Sequence, residues 1–335
     1  PNMYKIAGEL LPCVINVAAR SLATHALSIF GDHQDIYAIR STGFAMLASS
    51  SVQQVMDLTG VAYLSAIKGR VPFINFFDGF RTSHELQKID VIDTDKLKDL
   101  IDERALNEFR DNSLNIAHPT IRGTAQNEDI YFQATEVRNK YYNKVPDIVS
   151  NYMDEINKIT GRNYQLFNYY GSQNATKVIV AMGSVCETIK ETVLYLSQEK
   201  KENVGLIEVH LYRPFSSKHF LKALPKTVKK IAVLDRTKEA GSSGEPLYLD
   251  IVETIKSMDA KVNVFGGRYG LASKNTTPAM IKGLFDYMDT RDMHNNFTLG
   301  IYDDVTRLSI PYDKKFMLPS SNIEFLVYGF GSDGM

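Results

Sequence analysis

A short apolar run at residues 71–77 is long enough for a buried strand and too short for a helix. It ends at Asp78 and Gly79, which form a turn signal, and polar residues are frequent over 80–85. Thr82 and Glu85 have the spacing of a capping box, which predicts the start of a helix. Because ligands of open α/β sheets bind beyond the carboxyl ends of the strands, this pattern predicts a functional strand end.

Arg20 occupies a similar place, directly after the apolar run 13–19. From Ser21 onward the apolar residues have helical spacing, and His25 is expected on the apolar face of that helix, in the core or an interface. The planar guanidinium of Arg20 could hold a carboxylate through two parallel hydrogen bonds. The alternative is an ion pair with a nearby acid such as Asp32, which is the usual state of an isolated arginine.

The first half of the chain alternates strand and helix patterns, which predicts a mainly parallel sheet. Further strands are predicted at 13–18, 36–39 and 73–77, and helices after the capping box at Ser51, over 94–109 and over 146–159. Residues 111–145 are polar and show no clear period, so they form either a disordered loop or an ordered excursion. Their aromatic residues favour an ordered excursion packed on the sheet or on a partner chain.

The second half repeats a regular strand–helix alternation after a connection near 168–174. Strands are predicted at 177–182, 204–209, 231–235 and 262–265, and helices at 184–196, 217–223, 246–255 and 277–288. The fold class is therefore α/β, with two mainly parallel sheets flanked by helices. We expect one domain over residues 1–164 and another over 165–321.

Residues 323–334 have the pattern of a strand followed by G-x-G-x-x-G. This pattern binds phosphate only where a helix follows, and no helix can form before Met335. We therefore expect the chain to be a piece of a larger protein, ending inside a third domain that starts near residue 322.

The composition excludes several classes of protein. A formal net charge of −1 argues against a nucleic-acid partner. No apolar run reaches membrane-spanning length and no signal peptide is recognisable, so we expect a cytoplasmic protein without a membrane contact. Cys13 and Cys186 are isolated from each other in sequence and are expected to be reduced thiols, and no cysteine cluster or metal-ligand motif is present.

Several long and unusual motifs resemble one enzyme family. They are NVAARSLATHALSIFGDHQD (16–35), TGFAML (42–47), FFDGFRTSHE (76–85), RGTAQN (122–127), LYRPF (211–215), LDRTKE (234–239), GRYGL (267–271) and DDVT (303–306). Over nearly its whole length the chain resembles the pyruvate:ferredoxin (flavodoxin) oxidoreductases. The resemblance implies the distal part of a pyrimidine-type thiamine-binding domain, a transketolase C-terminal-like domain, and the start of a coenzyme A-binding domain of the acceptor oxidoreductase gamma type.

The resemblance also implies an activity for the full-length parent protein. It would oxidatively decarboxylate pyruvate to acetyl-coenzyme A and CO2 with thiamine diphosphate and Mg2+, and pass electrons through [4Fe-4S] clusters to ferredoxin, flavodoxin or a fused NADP-reducing module. Arg20 would contact the oxoacid carboxylate, and Gly331 and Asp333 would belong to the coenzyme A loop. The parent would be a homodimer.

The chain by itself is expected to be inactive and to bind none of these cofactors stably. The family's pyrimidine-contacting glutamate and substrate-contacting threonine would precede Pro1. The thiamine signature G-D-G is missing, so the pair Asn295 and Asn296 is expected to be a loop feature. Two alternatives stay open: another thiamine enzyme, such as a 2-oxoacid dehydrogenase β-subunit or a transketolase, and a non-catalytic structural or oligomerisation piece.

Other polar clusters have simpler expected roles. Residues 31–33 are expected to form a helix stop and a turn rather than an acid–base pair. The segment 235–239 is expected to make an interdomain contact rather than to clamp a phosphate. For Asp78 and the residues 81–83 two interpretations stay open, a rim around a cofactor cleft or subunit contact, and a charged turn with a helix cap.

Overall fold

The computed structural model describes residues 1–119, 121, 123–258, 261–303, 305–321, 323, 325–326 and 328. The strands are β1 (Val14–Ala19), β2 (Ala45–Ser49), β3 (Phe73–Asp78), β4 (Phe167–Gly171), β5 (Lys177–Ala181), β6 (Val204–Val209), β7 (Leu211–Arg213), β8 (Lys230–Asp235), β9 (Asn263–Tyr269) and β10 (Phe297–Leu299). The helices are α1 (Asn2–Gly8), α2 (Gln34–Ile39), α3 (Val52–Gly69), α4 (Thr94–Asp99), α5 (Glu103–Asp111), α6 (Tyr131–Glu136), α7 (Asn139–Tyr142), α8 (Val145–Thr160), α9 (Val185–Leu194), α10 (Ser217–Ala223), α11 (Pro246–Lys256) and α12 (Pro278–Tyr287).

Two mixed, mostly parallel sheets confirm the predicted fold class. In the described residues the first sheet has the order β1-β3-β2-β7 and the second the order β10-β9-β8-β5-β6-β4. The pairs β1–β3 and β2–β3 are parallel, whereas β7 runs antiparallel to β2. In the second sheet only β4 runs antiparallel to its neighbour among the described strands. Because most strands in each sheet are parallel, most of their carboxyl ends lie at the same edge of that sheet.

One hydrophobic cluster spans both sheets, and a second is built from residues of the second half such as Ile179 and Phe297. Buried side chains from the first sheet, among them Phe76 and Met46, belong to the same hydrophobic cluster as Val209 and Tyr212 of the second half. The strand β7 belongs to the second half in sequence and to the first sheet in space. The predicted division at residues 164 and 165 stays a prediction.

Strong local signals are confirmed at several helix ends. Ser51 caps α3, because its side chain accepts a hydrogen bond from the backbone of Gln54. The Gln54 side chain accepts from Ser50 rather than from Ser51, so the reciprocal half of the capping box is shifted by one residue. Gly161 ends α8 in the left-handed conformation with φ 73°.

Three predicted elements near the first sheet are wrong. Residues 36–39 belong to the helix α2 rather than to a strand, because a four-residue apolar run fits either type of element. The second strand in sequence is β2 instead. Residues 21–31 form a loop rather than a helix, closed by an antiparallel bridge between Arg20 and Gly31. Residues 82–85 form turns, because the Asp78 carbonyl accepts hydrogen bonds from both Thr82 and Ser83.

Two further predictions need correction. The helix predicted over 94–109 is two helices, α4 and α5, because the Asp102 side chain accepts from Ala105 and starts a new helix. The predicted connection near 168–174 overlaps β4, whose aromatic residues favour a strand while its Asn and Gly are typical of turns. Within 111–145 the short helices α6 and α7 form, and Tyr142 donates a 2.8 Å hydrogen bond to the Gly43 carbonyl. This contact fits an excursion packed on the first sheet, while packing on a partner chain stays a prediction.

Candidate functional site

Arg20 lies where the carboxyl ends of β1 and β3 meet. The register pairs Ala19 with Asp78, so Arg20 and Gly79 leave the sheet side by side. The guanidinium carbon of Arg20 lies 4.8 Å from the centre of the Phe80 ring. A cation–π contact of this kind does not use the N–H donors of the guanidinium.

The charge of Arg20 has no acidic partner among the residues that the structure describes. Its backbone N–H donates to the Asp35 carboxylate at 3.0 Å. The alternative partner, Asp32, accepts instead from the backbone of Gln34 at 3.0 Å. The ion pair between Arg20 and Asp32 that the sequence left open is therefore absent from the described structure.

The loop that follows Arg20 presents apolar side chains to solvent. Leu27 is 74% exposed and Ile29 51%, and His25 is exposed too, so its expected place in a core is wrong. Phe30 lies 5.1 Å from Phe80, ring centre to ring centre. An apolar rim of this kind beside an unpaired guanidinium suits an organic anion or a further protein surface.

Asp78, at the end of β3, is fully buried and contacts residues from both halves of the chain. Its carboxylate lies 2.5 Å from His33 Nε2 and 3.0 Å from Arg236 Nη1, and accepts from the Ser184 backbone at 2.7 Å. The Ser184 hydroxyl also donates to it. Burial opposes ionisation of Asp78, but His33 and Arg236 outweigh it and hold the pKa of the carboxyl well below its usual range.

Asp235 makes a second connection between the halves. It accepts hydrogen bonds from the Tyr37 hydroxyl at 2.6 Å and from the backbone of Leu247 and Tyr248 at the start of α11. Burial raises the pKa of Asp235 to about 7. Together with the Arg236 contact to Asp78, this geometry brings Asp235 and Arg236 into contact with the first half of the chain, and an interdomain role of residues 235–239 stays a prediction.

Residues 31–33 have a different role from the expected helix stop. They lead into α2, with His33 at its N-cap and the Asp32 side chain accepting from Gln34. Burial raises the pKa of Asp32 to about 6. His33 belongs to the buried cluster around Asp78, which no local sequence pattern could indicate.

A cleft of about 800 Å³ opens between the two halves. Its lining mixes Arg81 and Lys274 with the acids Glu85, Glu187 and Glu191. For the segment after β3, a rim around a cofactor cleft or a subunit contact stays a prediction, and the helix-cap part of the other interpretation is wrong. Arg81 lines the cleft, whereas Asp78 is buried and residues 82–83 form turns without a helix cap.

Other predicted sites have simple outcomes. Gly331 and Asp333 lie outside the described residues. Asn295 and Asn296 form a loop, in which the Asn295 side chain accepts from the Gly266 backbone at 3.1 Å. Cys13 and Cys186 are free thiols, as expected for separate cysteines.

The described part of the chain has neither a metal-ligand cluster nor a membrane-spanning helix. Its histidine, cysteine and acidic side chains form no group of three or more that could hold a metal ion. None of its helices has both the length and the apolar character required to cross a membrane.

Two family profiles match separate parts of the chain. Residues 1–154 match the family described as pyruvate flavodoxin/ferredoxin oxidoreductase, thiamine diphosphate binding. Residues 175–279 match the family described as pyruvate:ferredoxin oxidoreductase core domain II.

Curated relatives match the chain over its full length. The chain is 57% identical to a pyruvate-flavodoxin oxidoreductase of Enterobacter agglomerans and 56% identical to a pyruvate:ferredoxin oxidoreductase of Moorella thermoacetica, and covers 29% and 28% of them. It is 51% identical to the pyruvate dehydrogenase [NADP(+)] of Cryptosporidium parvum, of which it covers 18%. The chain therefore spans less than a third of the length of these relatives.

A solved structure supports the fold. A 2-oxoglutarate:ferredoxin oxidoreductase from Magnetococcus marinus, with 2-oxoglutarate, coenzyme A and succinyl-CoA bound, superposes with a TM-score of 0.53 at 17% sequence identity. The match covers 85% of this chain and 50% of that chain. At this identity the likeness establishes the arrangement of strands and helices and nothing finer.

Proposed function

The chain belongs to the pyruvate flavodoxin/ferredoxin oxidoreductase family, and from this premise we propose that the protein containing it oxidises pyruvate. Pyruvate and coenzyme A give acetyl-coenzyme A, CO2, one proton and two electrons. The electrons pass through iron–sulfur clusters to ferredoxin, flavodoxin or a fused NADP-reducing module. Thiamine diphosphate supplies the electron sink for the decarboxylation.

The residues of this chain fit one part of such a site. We place the Mg2+ and the clusters outside the described residues, whose histidine, cysteine and acidic side chains form no group of three or more that could hold a metal ion. They do offer the unpaired guanidinium of Arg20 and the exposed apolar loop beside it. We assign to Arg20 the carboxylate of pyruvate, which it would bind and orient through two parallel hydrogen bonds.

The single observation behind this assignment is the state of Arg20. The guanidinium lies at the carboxyl end of two parallel strands and over the Phe80 ring, and it has no acidic partner in the described structure. A group in this position is suited to binding an anion. A structural arginine would be expected to pair as Arg213 does, which stacks on Tyr212 and lies 2.8 Å from Asp250.

The test uses the full-length protein and the dye reduction that depends on pyruvate. We expect Arg20→Lys, which keeps the charge and loses the planar fork, to raise the KM for pyruvate about tenfold or more, the factor for about 1.4 kcal/mol. The KM for coenzyme A should not change. Arg213→Lys is the matched control, since it also removes a fork stacked on a ring, and it should leave the KM for pyruvate unchanged.

Three results would contradict the proposal. An unchanged KM for pyruvate in Arg20→Lys would remove Arg20 from the substrate site. Dye reduction with another substrate in place of pyruvate would point to a different thiamine enzyme, and no turnover with any 2-oxoacid would favour a structural role.

We also propose that the protein is a homodimer and that residues 322–335 begin a coenzyme A-binding domain with Gly331 and Asp333 in its loop. The family resemblance of the glycine pattern supports the second point. Light scattering on the full-length protein tests the first. Calorimetry with coenzyme A tests the second: Gly331→Val, whose branched side chain would hinder close approach to a phosphate, should weaken binding in the full-length protein.

A further inference from the structure

We propose that Ser273, in the second half of the chain, is a positioning residue for Arg20. This inference rests on the proposed role of Arg20 in binding pyruvate. Ser273 accepts a hydrogen bond from the Gly31 backbone through its side-chain oxygen at 2.9 Å, and its own N–H donates to the Gly31 carbonyl at 3.0 Å. Both backbone polar groups of Gly31 are therefore held by one residue from the other half.

Gly31 transmits this contact to Arg20. The two residues form an antiparallel bridge, and Ser21 donates to the Phe30 carbonyl at 3.1 Å, so the ends of the loop 21–30 are tied together. Gly31 is also wedged against Gly79, because a Cβ atom at Gly31 would lie 2.2 Å from the Gly79 carbonyl oxygen. A shift of Gly31 would therefore move the backbone of Arg20 or of Gly79.

The loop has little else to fix it. Its apolar side chains Leu27 and Ile29 are largely exposed, so the loop does not gain order from burial in the described structure. Besides the Gly31 clamp, the Gln34 side chain accepts from Leu22 at 2.8 Å and Asp35 accepts from Arg20. Both of these contacts lie on the first half. In the described structure Ser273 ties Gly31 to the second half, and nearby the His33 backbone also donates to the Arg236 carbonyl at 2.9 Å.

Left-handed backbone conformations mark the same place. Phe80 has φ 63°, and in the turn that contains the clamp Ala272 has φ 51° and Ser273 φ 61°. Such values are unfavourable for residues with a side chain, and they persist only where surrounding contacts impose them. Arg81 donates to the Ser273 carbonyl at 3.0 Å and so connects the two strained segments. Strain on both sides of Gly31 is the pattern expected of a preorganised site.

The consequence is specific for the oxoacid. Ser273 does not contact the guanidinium in the described structure, so it would act through the backbone of Gly31 on the place where Arg20 leaves the sheet. A displaced guanidinium would lose one of its two hydrogen bonds to a carboxylate, and binding of a substrate elsewhere would be unaffected.

The experiment measures steady-state kinetics of the full-length protein with Ser273→Ala. We expect the KM for pyruvate to rise about fivefold, the factor for the net free energy of one hydrogen bond of about 1 kcal/mol. The KM for coenzyme A should stay within about twofold, and Tm should fall by no more than about 4 °C. The control is Ser257→Ala, which also removes a hydroxyl bonded to the backbone, in this case as a donor to the Thr254 carbonyl, and should change neither KM.

A double-mutant cycle separates this inference from the assignment of Arg20. In an Arg20→Lys background, Ser273→Ala should raise the KM for pyruvate by less than about twofold, because the group it positions is already lost. An equal effect in both backgrounds would overturn the positioning role. So would a normal KM in Ser273→Ala while Arg20→Lys is impaired, a comparable rise in both KM values, or a variant that does not fold. An unchanged KM in Arg20→Lys would instead contradict the proposed function.

Discussion

The buried carboxylate of Asp78 offers the most demanding test of how the halves hold together. Its partners His33 and Arg236 are buried with it, and the Arg236 side chain is only 3% exposed. In Asp78→Asn the amide keeps the shape but loses the negative charge, and its N–H2 cannot accept from the Ser184 backbone. Arg236 would then be a buried cation without its counter-charge.

The expected loss of stability is large. Removing one partner of a buried ion pair costs about 3–5 kcal/mol, because the remaining charge keeps its desolvation penalty. The matched control is Asp289→Asn, whose partner Lys177 lies 2.6 Å away and whose side chain is 64% exposed. A pair this exposed is worth at most about 1 kcal/mol. The losses in free energy of unfolding caused by Asp78→Asn and Asp289→Asn should therefore differ by at least about 2 kcal/mol.

Urea unfolding at pH 7, followed by circular dichroism, measures both variants against the parent chain. The folded-state pKa of Asp78 is lowered, so its stabilisation is complete above the unfolded value of about 3.9 and is lost as the pH falls below it. The difference in the free energy of unfolding between the unmodified chain and Asp78→Asn should therefore become smaller at acid pH. A loss below about 1 kcal/mol at pH 7, equal to that of the control, would refute a desolvated ion cluster between the halves.

Two further predictions concern the same region. We expect Gly31→Ala to raise the KM for pyruvate and to lower the free energy of unfolding by about 1–3 kcal/mol, because its Cβ would meet the Gly79 carbonyl oxygen at 2.2 Å. The control is Gly69→Ala, whose Cβ would have its nearest contact at 3.5 Å and which should not destabilise the fold. Burial raises the pKa of Asp235 to about 7, so its contribution to stability is lost as the pH rises from about 4 to 7. Urea unfolding at pH 5 and pH 8 should show that the free energy of unfolding changes less with pH in Asp235→Asn than in the unmodified chain, by up to about 1.4 kcal/mol per pH unit. Equal pH dependence in the two proteins would contradict the raised pKa of Asp235.

Much of the fold could be predicted from apolar runs. The strands β6 and β8 are rich in branched side chains and fully or almost fully buried, and both lie where the sequence predicts them. The strand β2 consists mainly of small residues, and β4 combines aromatic residues that favour a strand with Asn and Gly that favour a turn, so composition alone does not define either strand. Burial against neighbouring strands, rather than local preference, makes these segments strands.

The site was predictable only in part. The apolar runs predict that Arg20 and Asp78 each lie at the carboxyl end of a strand, whereas the pairing of those strands, with Ala19 opposite Asp78, is seen only in the structure. The helix predicted from Ser21 failed, because helical spacing of apolar residues indicates a helix only when those residues are buried, and here they are exposed. The contacts of Ser273 and Arg236 cross more than a hundred positions and leave no local pattern.

The antiparallel strand β7 limits how this molecule could be dissected. It covers one side of β2, and it comes from residues 211–213, well beyond the boundary suggested by the chain's two strand–helix alternations. A recombinant product stopped near residue 164 would leave the backbone N–H and C=O groups of β2 uncovered along that edge. Such an edge recruits other strands and causes self-association. Expression trials on separate pieces should therefore keep β7 with the amino-terminal part.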